Sequence, residues 1–125
     1  GGIFMDAKYR EEFNVDNLQI ALRAVTTVTS HRTGQIVTDA GFKTISAHHA
    51  PPMVLSHEGI ALQYLSAEHG VYSVKQDSPL PTLGDRLELA LGYTDSTTFL
   101  HDCIYGIRAE TVETIFPLHG RGLLT

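Results

Sequence analysis

The chain has 125 residues, 42% hydrophobic and 18% charged, which sets it among globular domains with room for one core rather than among disordered segments. Fourteen acidic residues against nine basic ones give a net charge of −5, and no basic run occurs, so the charge disfavours nucleic acid and anionic membrane surfaces as partners. No apolar stretch reaches the ~20 residues of a membrane helix, and the single Cys103 precludes an internal disulfide, which fits a reducing cytoplasm.

The chain opens without the basic head and long apolar core of a secretory leader. Ile3, Phe4 and Met5 read as a brief strand, and residues 9–13 as turn or loop. So abrupt an apolar start predicts a piece cut from a longer protein. Residues 18–30 are the clearest strand: Leu18, Ile20 and Leu22 alternate with Gln19, Ala21 and Arg23, and a β-branched run follows. A turn at residues 31–34 and a strand at 36–38 complete a hairpin. Residues 39–41 break it, and a strand at 43–46 is expected beyond a bulge at Gly41.

Two prolines, Pro51 and Pro52, make residues 48–59 a loop. Strands are expected at 60–67 and 71–75, separated by Glu68, His69 and Gly70. After an extended loop over 79–85 come strands at Arg86–Ala90, 103–107 and 111–116, with a tight turn at Ala109 and Glu110 and a tail over 117–125. About eight short strands and no amphipathic helix predict an all-β chain. A small antiparallel barrel or sandwich is the natural architecture, since closure removes exposed edges.

Residues 93–103 gather a Tyr, two Asp, a His and the only Cys between two strands. One reading is structural: Asp95 or Ser96 N-caps a helical turn over 97–100, and His101 and Asp102 close it. The other is chemical. Tyr93 and Asp95 are two apart, so an extended segment sets both on one face, and their hard oxygens suit Mg²⁺, Mn²⁺ or Ca²⁺. Glu68 beside His69 can orient the imidazole and raise its basicity, with a strand-end turn as the alternative. His48 and His49 read as a surface loop or as ligands, and Cys103 as a small buried apolar residue.

Phe4-Met5-Asp6 with Tyr9, Asp39-Ala40-Gly41-x-Lys43, Leu65-Ser66-x-Glu68-His69-Gly70, Gly84-Asp85-Arg86-Leu87-Glu88, Leu100-His101-Asp102 and Arg121-Gly122 occur in the order and spacing of one family. The chain resembles the C-terminal domain of the D-threonine aldolase / D-serine dehydratase family, pyridoxal-phosphate enzymes of the alanine-racemase-like fold type. Ala67 stands where that family's Ser-Glu-Glu-His-Gly motif has its first Glu.

The resemblance implies that residues 1–125 are a single β-domain of a two-domain enzyme. Its N-terminal barrel would hold the cofactor on a lysine, and none of Lys8, Lys43 and Lys75 lies in a matching context. It implies a lyase, aldolase or dehydratase, acting on a small D-3-hydroxy amino acid, cytoplasmic and a homodimer. It implies catalytic roles for Tyr93, Glu68 and His69, and a divalent metal, Mn, Mg or Zn, on Asp95 and Tyr93 with His101 as a further ligand. The family's metal pair, His-x-Cys in dehydratases and His-x-Asp in aldolases, falls on Tyr93 and Asp95, so here Tyr replaces His. A neutral phenol, with an unperturbed pKa of about 10, is a weaker ligand than imidazole. An amino-acid racemase on the same scaffold, with Tyr93 moving the proton, and a stand-alone β-barrel binding module are the rival readings.

Overall fold

The computed structural model describes residues 2–123; the last two residues of the expected tail lie outside them. Six strands close into an antiparallel barrel: β1 (Arg23–Arg32), β2 (Gln35–Thr38), β3 (Met53–Val54), β4 (Ile60–Leu65), β5 (Gly70–Val74) and β6 (Arg86–Ala90). Their order around the wall is β1-β2-β5-β4-β3-β6, and β6 returns to β1 through the register Arg23↔Ala90 to Thr27↔Arg86. Two further strands, β7 (Cys103–Arg108) and β8 (Thr111–Pro117), form a separate ribbon. The helices are one turn each, α1 (Ala7–Glu11) and α2 (Thr94–Thr98). The all-β barrel is therefore as the strand periodicity predicts.

Alternation fills the barrel. Thr26 and Val28 of β1, Ile36 and Thr38 of β2, and Leu87 and Leu89 of β6 are buried, while the residues between them face outward or are only half-buried. Val28, Ile36, Leu87 and Leu89 make the main core with Tyr72, Ile45 and Ile60. Each large aliphatic side chain buried in this way contributes about 1.5–3 kcal/mol. A second cluster, Met5, Ile20 and Ala90 with Tyr9, Val15 and Met53, seals one side of the wall.

Five local expectations are corrected. Residues 3–5 form no strand: Ile3 and Phe4 lie in a turn, and Met5 follows with a left-handed φ of 57°. Residues 9–11, expected as turn or loop, belong to α1, which spans Ala7–Glu11. The strand expected from residue 18 starts at Arg23. Residues 18–22 alternate, yet they are held by the N-terminal lead-in, with the Ala21 N–H donating to the Phe4 carbonyl at 2.9 Å. Residues 43–46 turn rather than extend: the N–H groups of Thr44 and Ile45 donate to the Gly41 carbonyl, which delivers Ile45 to the core. The expected loop at 48–59 contains β3, where two residues suffice to close the barrel. It pairs with β4 only at Met53↔Ala61 and with β6 at Met53↔Ala90 and Val54↔Leu89.

Two of the quoted motifs explain each other. The Asp39 carboxylate accepts from the Thr26 hydroxyl at 2.6 Å and the Thr27 N–H at 2.8 Å, tying the end of β2 to β1. A Cβ on Gly41 would lie 2.4 Å from the carbonyl oxygens of Ser66 and Ala67, so only glycine lets the two backbones meet. Across that contact Lys43 pairs with Glu68 at 2.5 Å.

Asp6 is the link between barrel and helices. It is fully buried; its Oδ1 accepts the Tyr9 N–H at 3.0 Å as the N-cap of α1, and its Oδ2 accepts the Thr94 N–H at 2.9 Å and the Thr94 hydroxyl at 2.6 Å. The first N–H groups of α1, Ala7 and Lys8, donate to the carbonyls of Leu91 and Gly92. α2, Thr-Asp-Ser-Thr-Thr, has poor intrinsic helix propensity. It stands because Thr94 is bonded to Asp6 and the Thr97 hydroxyl accepts the Ser46 N–H at 3.1 Å. Asp6→Ala is expected to lower stability by about 2–4 kcal/mol, read from urea unfolding, with Asp6→Asn intermediate. A loss below ~1 kcal/mol would show that the helices do not depend on this carboxylate.

Inside the barrel, burial pushes the Tyr72 phenol up to about 12, with the neighbouring Thr38 hydroxyl offsetting only part of the effect. Neither hydroxyl has a hydrogen-bond partner among the described residues. Removing an unpaired buried hydroxyl relieves its desolvation cost, so Tyr72→Phe is expected to match wild type within about 1 kcal/mol or to exceed it. A loss of more than ~2 kcal/mol in the same unfolding assay would contradict this and reveal a paired hydroxyl.

Candidate functional site

Three segments converge on Tyr93. The first is α1, whose backbone bonds to Leu91 and Gly92 bring Lys8 alongside, its Nζ 5.2 Å from the centre of the Tyr93 ring. The second is the loop before β3: a Cβ on Gly92 would lie 1.8 Å from the Ala50 carbonyl oxygen, so glycine permits the approach. That approach sets the His49 ring edge-on to Tyr93 at 4.7 Å, with the His48 ring in turn edge-on to His49 at 4.6 Å. The third is α2, with Tyr93 as its N-cap residue and Asp95 in its first turn.

Tyr93 and Asp95 do not share an extended segment, as the spacing argument required. The backbone is extended at Tyr93 (φ −144°, ψ 120°) and helical from Thr94. The two side chains nevertheless meet, the Tyr93 hydroxyl donating to Asp95 Oδ2 at 3.0 Å. The alternative cap is also corrected: the helix spans Thr94–Thr98 rather than 97–100, and its N-cap Tyr93 makes no side-chain capping bond. The Asp95 carboxylate, by accepting the phenol's hydrogen bond and by its charge, holds Tyr93 above its ordinary range near 10. Tyr93 is half-buried and Asp95 exposed.

The other sequence-derived candidates lie elsewhere. His101 is half-buried, and its Nε2–H donates to the Thr44 carbonyl at 2.8 Å, so that nitrogen carries the proton and is not a ligand as it stands. Asp102 pairs with Arg121. Glu68 is taken by Lys43 rather than by His69, and His69 is exposed at the turn packed on Gly41. Cys103 is half-buried and unpaired. Among the described residues no three His, Cys, Asp or Glu side chains converge on a point that could hold a metal. The neutral Tyr93 phenol, which gives its proton to Asp95, is a poor ligand for a divalent cation, while His101 is held by the Thr44 carbonyl through Nε2 and keeps Nδ1 as an acceptor. The lysines do not fit a cofactor attachment site either. Lys43 is ion-paired, Lys75 is exposed just beyond β5, and Lys8 lies on Tyr93.

Sequence reasoning did not single out Lys8 and left His49 undecided. Both reach Tyr93 from far along the chain, and the one local signal is the glycine immediately before it. An apolar groove lined by Phe42, His48, Pro51, Tyr64, Phe99 and Leu100 opens beside the cluster, with His48 common to both. No helix among the described residues is long and apolar enough to cross a membrane.

Residues 21–107 match the family described as "Putative serine dehydratase domain". The chain is 33% identical to the 3-hydroxy-D-aspartate aldolase of Paracoccus denitrificans over 95% of its own length and 32% of that protein. It is also 33% identical to the D-threonine aldolase of an Arthrobacter species, over 70% of this chain and 23% of that one. The crystal structure of D-threonine aldolase from Filomicrobium marinum superposes with a TM-score of 0.88 at 31% identity, covering 98% of this chain and 35% of that one. The chain spans about a third or less of the length of these relatives. With the family match running from the lead-in of β1 to the end of β7, the chain belongs to this serine dehydratase domain family.

Proposed function

We propose that this chain is the β-domain of a longer, pyridoxal-phosphate-dependent lyase that acts on a D-3-hydroxy amino acid, and that Tyr93 and Asp95 face the substrate's β-hydroxyl. When bound, the cofactor supplies the electron sink for cleavage at Cα. It belongs to residues outside this chain, an N-terminal barrel on the family's pattern, because none of the three lysines here fits it. The two named aldolase relatives support this reading.

The observation that carries the reaction type is the direction of the Tyr93–Asp95 hydrogen bond. An ionised carboxylate only accepts, so the phenolic proton points at Asp95 and the Tyr93 oxygen offers its lone pairs outward. A substrate hydroxyl meeting that oxygen is the donor. Its proton passes to Tyr93 as the phenolic proton passes to Asp95. Loss of the hydroxyl proton is what carbon–carbon cleavage requires: the Cα–Cβ bond breaks, the C–O bond becomes a carbonyl, and the bond electrons go to Cα. Dehydration needs the reverse, a donor to the departing oxygen. The pair therefore favours an aldolase over a dehydratase. The raised Tyr93 keeps the phenol protonated at neutral pH, as the relay requires.

Tyr105, Ile107, Val112, Ile115 and Phe116 leave the β7–β8 ribbon with exposed apolar side chains. They support burial against the remainder of the enzyme and against a second copy in a homodimer. The single unpaired cysteine suits a cytoplasmic location.

In the full-length enzyme Asp95→Ala is expected to lower kcat by about 100-fold or more with cofactor content unchanged, and Tyr93→Phe to cost a similar factor, since either change cuts the relay. Wild-type kcat in Asp95→Ala would remove the functional reading of this pair. Because the neutral Tyr93 phenol is a poor ligand for a divalent cation, a chelator is expected to leave wild-type activity unchanged. Tyr93→His, which restores an imidazole two residues before Asp95, is expected to create chelator sensitivity and Mn²⁺ binding visible by electron paramagnetic resonance.

A further inference from the structure

Lys8 has no part in the relay, yet it is built into the site. Its backbone N–H donates to the Gly92 carbonyl, its helix is capped by the buried Asp6, and its side chain is half-buried against the Tyr93 ring. Among the described residues no carboxylate lies within ion-pair distance of its ammonium. Four of the nine lysine and arginine side chains meet an acid among the described residues, all on the outer surface: Arg23 with Glu88, Lys43 with Glu68, Arg108 with Glu113 and Arg121 with Asp102. The same phenol ring also meets His49 edge-on, and His48 is edge-on to His49. A cation held against an aromatic ring without its own counter-ion is a ready receptor for an anionic group on a ligand.

We propose that Lys8 is a specificity-determining residue that receives a second carboxylate on the substrate, selecting 3-hydroxy dicarboxylic amino acids over those ending in a methyl group. This rests on the reading that Tyr93 meets the β-hydroxyl. In such a substrate the distal carboxylate is bonded to the carbon that bears the hydroxyl. A hydroxyl placed on the Tyr93 oxygen therefore sets that carboxylate beside the same ring, where Lys8 stands. A methyl group in its place leaves the ammonium unpaired and partly desolvated, which disfavours the smaller substrate.

The test uses the full-length enzyme with cofactor, as wild type, Lys8→Met and Lys8→Arg. A charge-assisted bond is worth about 1.5–3 kcal/mol, or roughly 10–100-fold in kcat/KM. Lys8→Met is expected to lose that factor on D-3-hydroxyaspartate, mainly through KM, and to change less than about 3-fold on D-threonine. Lys8→Arg is expected to recover most of the loss. Equal losses on both substrates would overturn the inference, because a merely structural lysine acts on both alike. Calorimetric binding of D-malate, a hydroxy dicarboxylate with no amino group, separates the two proposals. Weakening of about 10-fold or more in Lys8→Met supports the subsite even if neither amino acid is turned over, whereas equal binding to wild type and Lys8→Met rejects it whatever the reaction.

Discussion

The arrangement around Tyr93 hangs on one buried carboxylate. Asp6 receives three hydrogen bonds in a space closed to solvent, one from α1 and two from Thr94. A charge so placed is tolerable only while its donors stay in position, since losing any of them leaves a desolvated oxygen behind. The same bonds fix the first residue of α2 and so the direction in which Tyr93 leaves the chain. They also fix the start of α1 and so the lysine over the Tyr93 ring. Sequence positions 88 residues apart are in this way held as one rigid unit.

The barrel was legible in the sequence most directly at β6, where alternation and burial agree and Arg86–Ala90 is predicted residue for residue; along β1 the signal was the β-branched run, since Val25 is exposed and Thr26 buried. What was not legible follows from partners remote in sequence. Residues 18–22 alternate as a strand does, yet the backbone partner available to Ala21 is the Phe4 carbonyl rather than a neighbouring strand. β3 is two residues behind two prolines, too short for any periodicity to register. α2 has the composition of a turn and becomes helical through Asp6 and Ser46.

The candidate pair was found for a reason the structure replaces. A spacing of two suggested a shared face on an extended segment. The backbone instead enters a helix between the residues, and their side chains meet across that first turn. Lys8 and His49 had no signal of their own. By contrast, the motif residues Asp39, Gly41 and Glu68 find their explanation in the joint between β2 and the β4–β5 turn, through a backbone approach and an ion pair, and not in contact with the Tyr93 cluster.

The barrel wall is unevenly stitched. Around most of its circumference neighbouring strands share four or more paired residues, but β3 meets β4 at Met53 and Ala61 alone. Breathing of the wall is cheapest where the fewest ladder bonds must break, so this seam is where the cylinder parts first. The strand on its lip is continuous, through Pro51 and Pro52, with the loop that carries His48 and His49 to Tyr93. β3 keeps its two pairs with β6, at Met53↔Ala90 and Val54↔Leu89, and Ala50 lies on Gly92, so parting of the seam leaves this loop on the side of Tyr93. The weakest line of the cylinder thus runs on the far side of β3 from the Tyr93 cluster, and a local opening there spares the cluster.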